Sequence, residues 1–330
     1  TIAVTGSSAV RYYSSLRDVT TQRHGGGVGV EFLTSERMQV RAAQSISYSP
    51  SYQLSLSQPP PQEGSELNFG AAGVDYSVSR DKQITYGSFG GATYTFSSSR
   101  EFTLGYNFGY TDFFHRADFS NQQASARFTQ RLSSDMSLRL GYGFGVGTLG
   151  NQATVKHHDI DVGVNYNRSI AVSRRTTVGF TSGSTVISTG GSQHFELIGG
   201  VQLRRLLAPR WTSTASYMRG LMAIDSVPRP FVTSTVSGEV RGFASSRASL
   251  SIQPSFAWGA DVADATRTFH SAVAQTRADV AVNRNWALYV EHFYYLYRFA
   301  GVTDLPQALP AGFSRQGLRW GLALWAPVIH

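Results

Sequence analysis

The 330-residue chain contains no cysteine, which excludes structural disulfides, thiolate metal centres and covalent haem attachment within it. Charge is scarce as well. Asp, Glu, Lys and Arg make up 15% of the residues, where a soluble protein carries roughly a quarter. Long apolar runs are also missing: nothing approaches the ~18 consecutive apolar residues of a membrane helix, although 41% of the chain is hydrophobic and 12% aromatic. The net charge of +8 comes from arginines scattered one or two per segment, with no basic block or helix face to track phosphates. A nucleic-acid partner is therefore not expected. No signal peptide precedes Thr1, and the first residues already read as a strand. The numbering is read as starting after processing or after a missing upstream segment.

What is present has a period of two. Phe102, Leu104, Tyr106, Phe108 and Tyr110 alternate with Thr103, Gly105, Asn107 and Gly109. Met136, Leu138, Leu140, Tyr142, Phe144 and Val146 alternate with Ser137, Arg139, Gly141, Gly143 and Gly145. Successive strand residues point to opposite sides, so each segment has one greasy and one polar face. The polar face is glycine and serine, which cannot fill a dry core. A sandwich needs two apolar inner faces, whereas these strands offer one each. Lipid is the economical partner for that face.

Punctuation is regular. Short polar turns recur at Thr34-Ser35-Glu36-Arg37, Ser97-Ser98-Ser99-Arg100, Ser133-Ser134-Asp135, Ser173-Arg174-Arg175, Ala208-Pro209-Arg210, Ser245-Ser246-Arg247 and Asn283-Arg284-Asn285. Longer connections lie between them, such as Ser51 to Asp75 (with Pro59-Pro60-Pro61) and Gly301 to Gly312. Short turns at one rim and long loops at the other mark an all-β, transmembrane, antiparallel up-and-down barrel. The segments fall at 2–13, 25–33, 37–49, 76–97, 101–115, 120–132, 136–148, 154–168, 175–189, 193–206, 211–223, 230–242, 248–260, 266–282, 286–299 and 315–328. That is about sixteen strands, with short periplasmic turns and longer extracellular loops. Residues 1–330 then read as a single transmembrane β-barrel domain, whose first and last strands are expected to pair.

The chain resembles the Gram-negative outer-membrane β-barrels, porin-like in pattern over nearly its whole length. Its last strand, Gly317-Leu318-Arg319-Trp320-Gly321-Leu322-Ala323-Leu324-Trp325, is similar to the terminal strand that barrel-assembly machinery recognises in that class. It departs by continuing Ala326-Pro327-Val328-Ile329-His330 where the class usually ends on an aromatic. The Ser-Arg turns and long tyrosine-rich strands also resemble barrels associated with exopolysaccharide secretion. The resemblance implies outer-membrane lipid as the surroundings, assembly machinery during biogenesis, and a periplasmic or surface partner.

Alternation assigns charges to the lumen, because a charge on the lipid face costs roughly 2–4 kcal/mol at mid-membrane. The selectivity candidates are Arg41, Arg127, Arg139, Arg204, Arg277 and Arg319, with Glu196, Glu239, Asp279 and Glu291. They read either as a pathway attracting anions or as pairs that brace the wall. One strand places Tyr289, Glu291, Phe293, Tyr295, Tyr297 and Phe299 on its inward face. Tyr289, Phe293, Tyr295 and Tyr297 read as an aromatic slide for sugars, or more plainly as filling or a rim girdle. His157, Asp159 and Asp161 share a face, but without visible further ligands they read as solvated residues rather than a metal site. No cofactor is expected. The glycines from Gly141 to Gly147 are not a dinucleotide fingerprint, since no helix follows. No G-x-S-x-G motif occurs.

Function on this reading is a non-enzymatic outer-membrane channel, passing small polar or anionic solutes or a secreted polymer. The alternatives are a structural barrel that sheathes or anchors a partner, and a membrane-embedded hydrolase. Spin labels placed along Phe102–Tyr110 or Met136–Val146 are expected to alternate between lipid and water accessibility. A helical period would overturn the strand assignment.

Overall fold

Alternation becomes register in the structure, a computed structural model that describes residues 2–13, 19–50, 52–53, 77–79, 82–114, 117–150, 154–169, 175–189, 192–223, 230–283, 286–302, 305 and 310–324. Its strands are β1 (Ile2–Tyr13), β2 (Val19–Ser35), β3 (Met38–Ser49), β4 (Tyr52–Gln53), β5 (Ser77–Ser79) and β6 (Gln83–Ser97). β7 (Arg100–Phe113), β8 (Phe119–Arg131), β9 (Met136–Leu149), β10 (Val155–Ser169), β11 (Thr176–Thr189) and β12 (Ser192–Ala208) follow. The chain continues through β13 (Trp211–Ala223), β14 (Pro230–Phe243), β15 (Ala248–Asp261), β16 (Thr268–Ala281), β17 (Trp286–Ala300) and β18 (Gly312–Leu324).

Sixteen of these form one sheet in the order β1-β2-β3-β6 and then consecutively to β18, while β4 and β5 make a separate two-stranded ribbon. The up-and-down reading therefore holds, with sixteen wall strands. Two segments differ from expectation. β2 begins at Val19 rather than near residue 25, because Val19–Arg23 pairs with β1 despite its broken alternation. The segment read as 76–97 is interrupted, with only Gln83–Ser97 in the wall. The Pro59-Pro60-Pro61 connection, Arg174 and the tail from Ala326 lie outside the described residues.

The serines of the short turns have a mechanical use. The hydroxyls of Ser35, Ser97, Ser133 and Ser245 each accept from the backbone N–H two residues on, at 3.3, 3.4, 3.2 and 3.2 Å. This closes a side-chain-mediated turn and satisfies a donor the ladder leaves behind. Asn283 does the same one residue further along, accepting from the Trp286 N–H at 2.9 Å.

Outward residues are the apolar ones: Leu104, Tyr106, Leu140, Tyr142, Val236, Phe256, Leu288 and Val290 are all exposed. The inner face is not uniform. Along β8 to β10 it is small or polar, and along β17 it is aromatic, with one phenylalanine added by each of β14, β16 and β18. The wall curls far enough that Phe113 of β7 joins Phe231 of β14, Phe269 of β16 and Tyr295, Tyr297 and Phe299 of β17 in one interior cluster. β7 and β14 are seven ladders apart in the sheet, so the cluster crosses the lumen.

The expected pairing of first and last strands is not among the described ladders, which leave β1 and β18 as the sheet's two edges. Side-chain exposure agrees. Ile2 and Val4 are 75% and 78% exposed and Leu318 and Trp320 69% and 76%, against 49% for Val290 one strand inward. An outward residue at an edge has a neighbour on one side only. Backbone amides at the free sides of β1 and β18 are expected to exchange with solvent well before those of β8 and β9. Equal protection by hydrogen-exchange mass spectrometry would show instead that the two strands pair.

Candidate functional site: the inner wall and its long-loop mouth

The site is built from inward positions of β14 to β18. At the long-loop end Phe231 meets Phe269 edge-on at 5.4 Å, Phe269 meets Phe299 at 6.0 Å, and Phe299 meets Tyr297 at 5.6 Å. Tyr297 also stacks on Phe313 of β18 at 5.9 Å. Its hydroxyl donates to the Pro310 carbonyl at 3.0 Å, tying down the β17–β18 connection. Val302 and Leu305 of that connection pack on the same cluster, as do Phe119 of β8 and Met222 of β13. Each aromatic pair contributes about 0.5–1.5 kcal/mol beyond its buried area. Tyr295 and Tyr297 are 0% exposed. On the wall of an open 16-stranded pore they would be wet. The mouth at this level is filled.

Small residues make room for the rings. A Cβ on Gly317 would lie 2.7 Å from Cζ of Phe293, its register partner across β17–β18. A Cβ on Gly259 would lie 2.7 Å from Phe269, its partner across β15–β16. In both places the ring occupies the space above the glycine on the neighbouring strand.

Beneath the aromatics lies a charged patch. Arg277 forks onto Asp279, with Nε 2.9 Å and Nη2 2.7 Å from Oδ1. Its guanidinium lies 4.3 Å over the Tyr289 ring, and Nη1 is 3.8 Å from Oε2 of Glu291. Glu291 is fully buried. Its register partners are Arg277 on β16 and Arg319 on β18. Arg277 and the two carboxylates thus share one patch, and the Arg319 side chain lies outside the described residues. A buried pair of this kind braces the wall and is costly to break from one side.

The other candidates are spread around the wall. Arg41 and Arg139 are half-buried, and Arg127 and Arg204 are exposed. By register Arg41 stands opposite Gly91 and Arg127 opposite Gly141. Glu239 accepts from the Gln253 amide at 3.1 Å. Glu196 binds Arg219 at 2.9 Å, a partner that alternation missed because Arg219 sits on the outward parity of β13. Alternation also failed to show the cross-lumen cluster. Phe113, Phe231 and Phe269 each end or begin a strand at the same rim, which was the available signal.

His157 lies flat over Gly145, where an added Cβ would meet the ring at 2.0 Å. It is 3.7 Å from Asp159, which accepts from the Thr185 hydroxyl at 2.5 Å. The Asp161 side chain is outside the described residues. Among the described residues no group of three or more His, Cys, Asp or Glu is arranged to hold a metal. In the β15–β16 connection, the Thr266 hydroxyl and backbone N–H, with Arg267 beyond them, hold the Asp264 carboxyl below the usual carboxylate range. The contribution of that turn is present above the ordinary carboxylate pKa and lost as pH falls through the depressed one.

No protein-family profile matches the chain, and no curated protein does. Among solved structures it is similar to the FrpB iron transporter of Neisseria meningitidis. The F3-3 variant gives a TM-score of 0.52 at 8% identity, covering 88% of this chain and 55% of that one. The F5-1 apoprotein gives 0.50 at 6%, covering 92% and 58%. A ferric enterobactin receptor, PfeA of Pseudomonas aeruginosa, is matched at 0.49 and 10%, covering 99% and 60%. The chain spans a little over half the length of these proteins. The likeness defines the fold, that of an outer-membrane β-barrel; the matched structures reported are neither porins nor exopolysaccharide barrels.

Arg277→Gln is expected to destabilise the barrel by about 3 kcal/mol, since it withdraws a cation from buried Glu291. The double variant Arg277→Gln/Glu291→Gln is expected to recover much of that loss. Urea unfolding in lipid vesicles measures both, and a harmless single substitution would show that the patch bears no mutual load.

Proposed function

We propose that the chain is a non-enzymatic outer-membrane transport barrel, closed at its extracellular mouth by the aromatic cluster and passing small polar or anionic solutes when that closure yields. The observation that carries this reading is the burial of Tyr295 and Tyr297 inside the wall. An open porin has no reason to fill its mouth with rings, whereas a gated conduit does. FrpB is an iron transporter, which supports transport as the general activity and says nothing of the solute here.

Below the closure the lumen candidates are Arg41, Arg127, Arg139 and Arg204, on inner positions away from the paired Arg277. Together with the net charge of +8 they favour anions mildly, because paired arginines add little field.

In planar bilayers the unmodified barrel is expected to be nearly silent, and Phe231→Ala/Phe269→Ala is expected to open steady conductance. Reversal potentials of that variant across a KCl gradient are expected to favour chloride. Replacing Arg127 and Arg139 by glutamine should reduce the preference, as should high salt, where the Debye length falls from about 10 Å at 0.1 M to about 3 Å at 1 M. Large conductance in the unmodified barrel would identify an open porin. Silence in a folded, heat-resistant double variant would favour a barrel that sheathes a partner.

A further inference from the structure

The outer surface carries a second, separate pattern. Register aligns five residues of consecutive strands in one row: Arg219 with Ser234, Ser234 with Trp258, Trp258 with His270, and His270 with Arg298. The row shares the outward parity of exposed Val236, Phe256, Leu288 and Val290. It runs across β13 to β17, two to four residues below the long-loop ends of those strands. The strand ends of outer-membrane barrels lie near the headgroup boundary, where an arginine on the lipid face costs only about 0–1 kcal/mol.

The row is a built feature. Arg219 donates to the Leu197 carbonyl at 3.2 Å and to Glu196 at 2.9 Å, where the β12–β13 ladder ends at Gly199. Its Nη1 is 3.4 Å from the Ser234 hydroxyl, which also lies 3.3 Å from the Tyr217 hydroxyl. Trp258 packs on Phe256 at 5.5 Å and Tyr217 at 6.4 Å, leaving its indole exposed. A cavity of about 430 Å³ opens beside it at the strand ends, bounded by Glu196, Arg219, Trp258 and His270 and, from inward positions, by Asp261 and Phe269. That volume lies within the range of small-molecule sites. Two carboxylates face it. Glu196 is engaged by Arg219, and Asp261 accepts from the Ala263 N–H at 2.8 Å, within its own loop.

We propose that this row is a binding site for a phosphorylated glycolipid headgroup of the outer leaflet. Arg298 forms one cationic pole, with the His270 imidazole beside it on the adjacent strand as a hydrogen-bonding group. Arg219 forms the other, three strands from His270, roughly 15 Å at the ~4.8 Å strand spacing. A headgroup with two phosphates on a sugar scaffold spans such a gap, and a sugar face packs on the Trp258 indole between the poles. Arg219 contributes the weaker pole, because Glu196 shares its charge.

The test uses the whole barrel in mild detergent, offered the phosphorylated outer-leaflet glycolipid, its dephosphorylated form, or inorganic phosphate, with retained lipid counted by native mass spectrometry. The unmodified barrel is expected to retain the phosphorylated lipid in preference to the dephosphorylated one. Arg298→Gln is expected to lower retention roughly fivefold, as removal of one surface cation from an anionic lipid does, and Arg219→Gln/Arg298→Gln to lower it further. Arg37→Gln, at the opposite rim, is expected to change nothing. If Arg219→Gln fails to fold for want of a partner to Glu196, His270→Gln/Arg298→Gln decides in its place. Equal retention of both lipids, retention indifferent to Arg298, or displacement of the lipid by an equal concentration of inorganic phosphate would each overturn the proposal.

Discussion

Hydrocarbon accepts no unpaired backbone polar group, each one costing several kcal/mol, and the rest of this structure follows from that. With no apolar run long enough for a helix, the chain can cross only by giving every N–H and C=O to a neighbouring strand. Sixteen strands in one continuous sheet do so through the wall, except along the outer sides of β1 and β18 in the described ladders. The ladder fixes which residues face outward, and lipid then decides what those residues are. Charge is driven to the inner face or to the rims. The low charged fraction of 15% is the compositional trace of a chain whose outward half has little use for charge.

The inner face answers to a different demand, and it answers unevenly. Around Gly141, Gly143 and Gly145 the strand adds no bulk of its own, and the space is taken by polar side chains of β10, His157 over Gly145 and Asp159 over Gly143. Around Tyr295, Tyr297 and Phe269 the wall is thick and consumes space. Contact between Phe113 and the β14–β17 aromatics requires the thick wall to reach across the lumen at the long-loop end. The glycines opposite the rings, Gly259 and Gly317, let each ring lean sideways over the next strand. Filling is therefore arranged strand by strand, with bulk on one strand matched by its absence on the next.

How much of this was legible depended on whether a feature is local. Alternation along Phe102–Tyr110 needs only the pleat, so strand identity, face and count were readable in the residues themselves. The inward face of β17 was readable for the same reason. The cross-lumen cluster was not, because no one-dimensional pattern says that Phe113 and Phe231 meet. Nor was the Arg219–Glu196 pair, which exists because the β12–β13 ladder ends at Gly199 and lets an outward arginine reach an inward-parity carboxylate. The β1 and β18 edges escaped for a related reason: closure was inferred from the cost of open edges, whereas register depends on the geometry of the whole wall. Within the lumen, sequence could list the arginines but not their partners. Arg277 is bound to Asp279 and faces Glu291 across a ladder that only the fold reveals.

That last distinction bears on where discrimination among solutes can reside. Arg277 is held by Asp279 and Glu291 and is partly sealed beneath rings, so it offers a passing ion little field. Arg41 stands in register between Glu31 and Gly91, and Arg127 between Thr103 and Gly141, away from the rings of β17. Even where such arginines keep polar partners of their own, field lines in a narrow lumen with low-dielectric walls are focused rather than spread. A cation of the glycine-rich wall therefore acts on the lumen more strongly than one locked in the thick wall. On the gated-conduit reading proposed above the two halves of the barrel divide the work: the aromatic half would set whether the mouth is open, and the glycine-rich half the sign of what is favoured once it is.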